Sequence, residues 1–114
     1  MARDPRRTAG EAVLADLAAP YLGRPGVEPR RMFGGDSVTV HGKIFGFVDT
    51  EGNLVAKVPA DRVDELIATA GAHRMQMGRG EAREWVGVPP ATDGDDALWE
   101  QVLAESFAYV AGGA

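Results

Sequence analysis

Three apolar runs between residues 30 and 58, separated by short glycine-bearing turns, constrain this chain more than any other feature. They read Met32-Phe33-Gly34-Gly35 running on into Ser37-Val38-Thr39-Val40, then Ile44-Phe45-Gly46-Phe47-Val48, then Leu54-Val55-Ala56-Lys57-Val58. His41-Gly42 is a two-residue hairpin turn, since glycine tolerates positive φ, and Thr50-Glu51-Gly52 is a three-residue turn with Gly52 left-handed. The pattern predicts three consecutive antiparallel strands. Gly34-Gly35 inside an apolar stretch predicts a bulge, a sharp bend or the close approach of another backbone. Pairing through these turns places Val38, Val40, Phe45, Phe47 and Val55 on one face, and Ile44, Val48, Leu54, Ala56 and Val58 on the other. Both faces are therefore apolar, whereas an antiparallel sheet with one wet face alternates cleanly. Each side should be covered: a helix on one, a further helix or a second subunit on the other.

The flanking segments supply the helices. Residues 1–7 are polar and aperiodic and read as a flexible arm, after which Thr8 and Glu11 have the spacing of a capping box. Val13, Leu14, Leu17, Tyr21 and Leu22 form one helical stripe, which Pro20 should bend or end. A second helix opens at Pro59-Ala60-Asp61, buries Val63, Leu66, Ile67 and Ala70, and stops at Gly71. A second hairpin runs from His73 to Val88 around Gly78-Arg79-Gly80-Glu81, with Met75, Met77, Trp85, Val86 and Val88 as its apolar contacts. The last helix starts near Asp95 under a Thr92 or Asp93 cap and buries Leu98, Trp99, Val102, Leu103, Ser106, Tyr109 and Val110. The order α-β-β-β-α-β-β-α predicts an α+β fold, an antiparallel sheet packed with helices, as one domain over residues 8–114.

Charge narrows the partners. The chain has no cysteine, which removes disulfides and thiolate metal sites together. Its net charge of −5 is uneven: residues 1–31 carry six arginines against four acids, and residues 91–114 carry five acids and no base. An acidic domain repels phosphate backbones unless its cations cluster, so net charge disfavours nucleic acid. No stretch approaches the ~20 apolar residues of a membrane span, and no targeting segment is visible. A cytoplasmic protein is expected.

Chemical motifs are scarce. The Gly35 to Gly42-Lys43 spacing does not match a phosphate loop, and Gly78-Arg79-Gly80 runs into a strand where a dinucleotide fingerprint needs a helix. His41 and His73 have no second ligand at metal-binding spacing, and Ser37 and Ser106 have no nucleophile elbow. Residues 93–96 lack the spaced ligands of a calcium loop and suit a helix cap. No catalytic residue, cofactor or metal is expected. Arg30, Arg31, Arg74, Arg79 and Arg83 could line up as a basic strip across two hairpins. Phe45, Phe47 and Val55, if no helix covers them, make an apolar patch of the kind that marks protein contacts, which a symmetric dimer would bury.

Met32-Phe33-Gly34-Gly35, with Gly42-Lys43-Ile44-Phe45-Gly46, Leu54-Val55-Ala56-Lys57-Val58-Pro59 and Trp85-Val86-Gly87-Val88-Pro89, resembles the N-terminal domain of the TfoX competence-regulator family. The resemblance covers most of the chain; Asp36-Ser37 departs from it, at a point where relatives often carry an apolar or aromatic residue. It implies a stand-alone α+β sandwich similar to secretion chaperones, and no catalytic residues to carry over. Taken with the residues, it implies a non-catalytic regulatory or protein-interaction domain, homodimeric, linked to transcription or competence regulation. Its contacts would be Phe45, Phe47 and Val55, with Arg30 and Arg31 at the rim and an unidentified protein as a further partner. The alternatives are a nucleic-acid-binding regulator using the arginine strip, and a small-ligand domain with a pocket between the helices and Gly34-Gly35.

Overall fold

The computed structural model describes residues 4–32, 34–77 and 80–113, with Met77, Gly80 and Glu81 described at the backbone only. The chain runs α1 (Pro5–Ala18), a 3-10 turn (Ala19–Tyr21), β1 (Val27–Met32), β2 (Gly35–Val40), β3 (Lys43–Val48), β4 (Leu54–Lys57), α2 (Ala60–Ala70), β5 (His73–Met77), β6 (Gly80–Val88) and α3 (Ala97–Ala111). The predicted α+β order holds, with the first strand folded in two. Gly34, at φ +76°, supplies the sharp bend, and β1 pairs back along β2 from Met32 opposite Gly35 to Val27 opposite Val40. Phe33, in the run read as the start of the first strand, and Gly78-Arg79, read as the turn of the second hairpin, lie outside the described residues.

Helix α1 begins earlier than the capping-box spacing predicts. Asp4 is its N-cap and its carboxylate accepts the Arg6 amide at 2.9 Å, with Pro5 in the first turn, where no amide is needed. Residues 5–7, read as arm, are therefore helical, and Thr8 lies inside the helix. The helix ends at Ala18, before the 3-10 turn that holds Pro20. At α3, neither Thr92 nor Asp93 caps the helix; the Asp95 carboxylate accepts the Ala97 amide at 3.0 Å. Gly71 closes α2 in the left-handed conformation, as expected.

Six strands form one sheet in the order β1-β2-β3-β4-β6-β5, every neighbouring pair antiparallel. His41 and Gly42 both take positive φ, as a two-residue hairpin turn requires. A bulge in β3 then changes which residues share a face. Val38 pairs with Gly46 but Thr39 pairs with Ile44, so Phe45 is the extra residue. Two successive residues at a bulge turn to the same side. Phe45 thereby parts from Phe47. Its ring lies 5.3 Å from Phe107 of α3 and 5.8 Å from Tyr21, while Phe47 sits across from Val55 with its ring 6.5 Å from Trp85. The expected single face holding Phe45, Phe47 and Val55 does not exist.

All three helices lie on one side of the sheet. Leu14 of α1, Val63 and Leu66 of α2, and Val102 and Leu103 of α3 pack into one core with Val38, Val48, Leu54, Ala56, Val86 and Val88. Phe47 and Val55 are buried but stand outside that core. Two residues read as buried stripe are exposed: Leu22 at 43% and Ile67 at 36%. Ser106 of α3 repairs the ladder beside the bulge. Its hydroxyl donates to the Phe45 carbonyl at 2.7 Å and accepts the Lys57 amide at 3.1 Å, bridging β3 and β4 where direct pairing has stopped.

Candidate interaction surfaces

The helix-free face is set by strand parity. Residues opposite one another in an antiparallel pair share a face. Phe47 is opposite Ser37 and Val55, Val55 is opposite Gly87, and Lys57 is opposite Trp85. A side chain added at Gly87 would meet His73 and the Met75 sulfur, which places both beside Val55 on this face. Ser37, Thr39, Phe47 and Val55 are buried there, whereas Ile44, Met75 and Trp85 are half-buried. The face is thus a closed centre framed by partly exposed apolar side chains with no helix over them.

The expected contact residues are redistributed accordingly. Phe45 is fully buried beneath α3, Val55 is fully buried, and Phe47 is 7% exposed, so they form no exposed patch. Arg30 and Arg31 alternate across β1. Arg30, opposite Ser37, borders the helix-free face and is exposed, while Arg31, opposite Asp36, belongs to the helix side and pairs with that carboxylate at 3.1 Å. Among the described residues the basic strip does not assemble. Arg74 is on β5 at the far edge of the sheet from β1, five strand spacings or about 24 Å away. Arg74 is also bonded to Asp64 of α2, Arg83 lies nearby, and Arg79 is outside the described residues.

Two polar clusters border the helices. At one end Tyr109 of α3 donates to Glu84, which raises the phenol above its ordinary pKa, and Lys57 Nζ approaches the same carboxylate at 4.0 Å. Beside it Arg62 of α2 bridges Glu105 and Glu65, and its guanidinium is pushed up chiefly by the Glu105 hydrogen bond. At the other end Arg7 and Glu11 of α1 are buried against Gly34-Gly35. A side chain at Gly35 would lie 2.4 Å from both the Arg7 guanidinium and the Glu11 carboxylate, which also accepts the Asp36 amide at 2.9 Å. Among the described residues, no three His, Asp or Glu side chains gather to hold a metal, and no helix is long and apolar enough to cross a membrane.

The family model of the TfoX N-terminal domain matches residues 18–109. The chain belongs to the TfoX N-terminal domain family. No curated protein and no solved structure matches it. The TfoX N-terminal domain is not a known catalytic family. In this TfoX domain Gly35, paired opposite Met32, lacks a side chain, and that gap admits the Arg7 and Glu11 pair. That pair lies before the matched residues. Local pattern alone puts Arg7 in a polar arm and Glu11 at a cap position; in the fold both serve the tertiary contact with Gly35. Trp85, by pattern an apolar contact of the second hairpin, is half-buried on the helix-free face. Its place opposite Lys57, in a strand one removed from β3, follows only from the β4 to β6 pairing.

Proposed function

We propose that this TfoX domain is a cytoplasmic regulatory domain that acts by protein contact, as a homodimer formed across its helix-free sheet face. The observation that carries the reading is the one-sided placement of α1, α2 and α3, which leaves Ile44, Met75 and Trp85 partly open on the far side. Apolar side chains left partly open on a sheet face mark contact sites, and tryptophan and methionine are enriched in the centres of such contacts. A two-fold axis makes one face its own complement, so a second copy covers it without a dedicated partner. Arg30 and Glu28, both exposed on the same side of β1, give the rim one charge of each sign. The separation of Arg30 from Arg74 across the sheet weakens the nucleic-acid alternative.

Sedimentation velocity of the wild type and of Trp85→Glu tests this reading. The wild type should shift from monomer to dimer as concentration rises into the high micromolar range, while Trp85→Glu stays monomeric with an unchanged far-ultraviolet spectrum. A wild type that remains monomeric throughout overturns it.

A further inference from the structure

Between α1 and the edge hairpin β1-β2, on the helix side of the sheet, lies a cleft of about 280 Å³ that the helices do not fill. Its wall is aliphatic, made by Leu14, Ala18 and Leu22 from the helical side and Pro29 and Val38 from the strands. Leu22 is the most exposed large apolar side chain among the described residues and contributes to this wall. The cleft closes at one end on charge. Glu11, buried at 7% exposure, and Asp36 line it, and Pro29 and Asp36 continue into a hollow bounded by Arg31. Arg7 Nε lies 3.8 Å from Glu11 inside, and Arg31 pairs with Asp36 at 3.1 Å at the mouth.

We propose that this cleft binds a free apolar α-amino acid of leucine size. The volume falls just below the ~300–1,000 Å³ typical of small-molecule pockets, which limits the occupant to a few heavy-atom groups beyond one side chain. The wall selects an aliphatic body. The polar end selects the head group. Its two guanidiniums and two carboxylates balance, so a ligand of net charge would leave one of these groups unmatched. A zwitterion does not: its carboxylate meets Arg31 and its ammonium meets Asp36, two exposed groups already held side by side. Insertion replaces one surface ion pair, worth little in water, by two charge-assisted contacts at the mouth of the cleft. The bound side chain covers Leu22. This site is separate from the helix-free face and does not depend on the homodimer reading.

Titration of the isotope-labelled full chain with L-leucine, followed by NMR, tests the proposal. Saturable shifts should appear at Leu14, Ala18, Leu22 and Val38. 4-Methylpentanoate, which lacks the ammonium, and 3-methylbutylamine, which lacks the carboxylate, should each bind about tenfold more weakly or worse, the scale of one charged hydrogen bond. Arg31→Gln and Asp36→Asn, both at exposed positions, should weaken leucine by a similar factor with the fold intact. Ala15→Phe, on the exposed side of α1 at the cleft, should abolish binding by filling it while the protein keeps its spectrum. No saturable shift with L-leucine overturns the proposal. So do analogues that bind as tightly as leucine, or affinity that survives both charge substitutions.

Discussion

Ser106 is the residue on which the two central strands depend. The bulge at Phe45 gives the sheet a large aromatic under α3, and it leaves the Phe45 carbonyl and the Lys57 amide without each other. One hydroxyl serves both, at 2.7 and 3.1 Å, in a fully buried position. Ser106→Ala should cost about 1–3 kcal/mol, because it strands a donor and an acceptor away from water with no change in packing volume worth naming. Urea unfolding measures this, and a shift of the midpoint below a few tenths of a kcal/mol equivalent would show that the strands close on each other unaided. Ser106→Thr keeps the hydroxyl but adds a methyl in a filled core, so it reports overpacking and not the bridge. The sequence does place Ser106 on the buried stripe of α3. It cannot assign the role, since a small residue there reads the same whether it fills space or repairs a ladder.

At the scale of the elements, what could be read in the sequence was periodicity, and what could not was register. The strands, the His41-Gly42 turn, the stop at Gly71 and the buried stripe of α3 all follow from patterns within a few residues of one another. The separation of Phe45 from Phe47 does not, because a single extra residue in β3 inverts the parity of everything beyond it. Competition between caps was equally hidden: Asp4 with Pro5 outbids Thr8 with Glu11, whose carboxylate is drawn to the Asp36 amide instead. The new cap has a pH signature. The Arg6 side chain and then its backbone amide hydrogen-bond the Asp4 carboxylate and hold it at about 2, below its ordinary 3.8. A depressed carboxyl binds protons less tightly folded than unfolded, so its stabilisation is complete above the unfolded value and lost as pH falls toward the folded one. Asp4→Asn keeps a capping oxygen without the charge. The stability gap between wild type and Asp4→Asn should therefore narrow as pH drops from about 5 to about 2 in paired urea titrations. A gap that stays constant across that window would mean the charge of Asp4 adds nothing to α1.

For the whole molecule, the decisive asymmetry is a six-stranded sheet with every helix on one side. The sequence shows apolar residues on both faces, and that much is correct. It cannot show that the helices gather together, because helix placement depends on connections around strands: α2 crosses from β4 over β6 to reach β5, which sends it to the side already occupied by α1 and α3. The two tryptophans report the consequence separately. Trp99 is 3% exposed and donates to the Pro89 carbonyl at 3.1 Å, whereas Trp85 is half-buried on the open face beside Phe47. In dilute solution a water-soluble quencher should reach Trp85 and spare Trp99, giving two emission components of different accessibility. Trp85→Phe should remove the quenchable component and leave the protected one, which makes the assignment without reference to association. Raising the wild-type concentration should then convert the accessible component into a protected one as a second copy covers the face. If the accessible fraction is the same from low to high micromolar protein, the open side of the sheet stays wet, and its apolar frame belongs to a partner of different sequence.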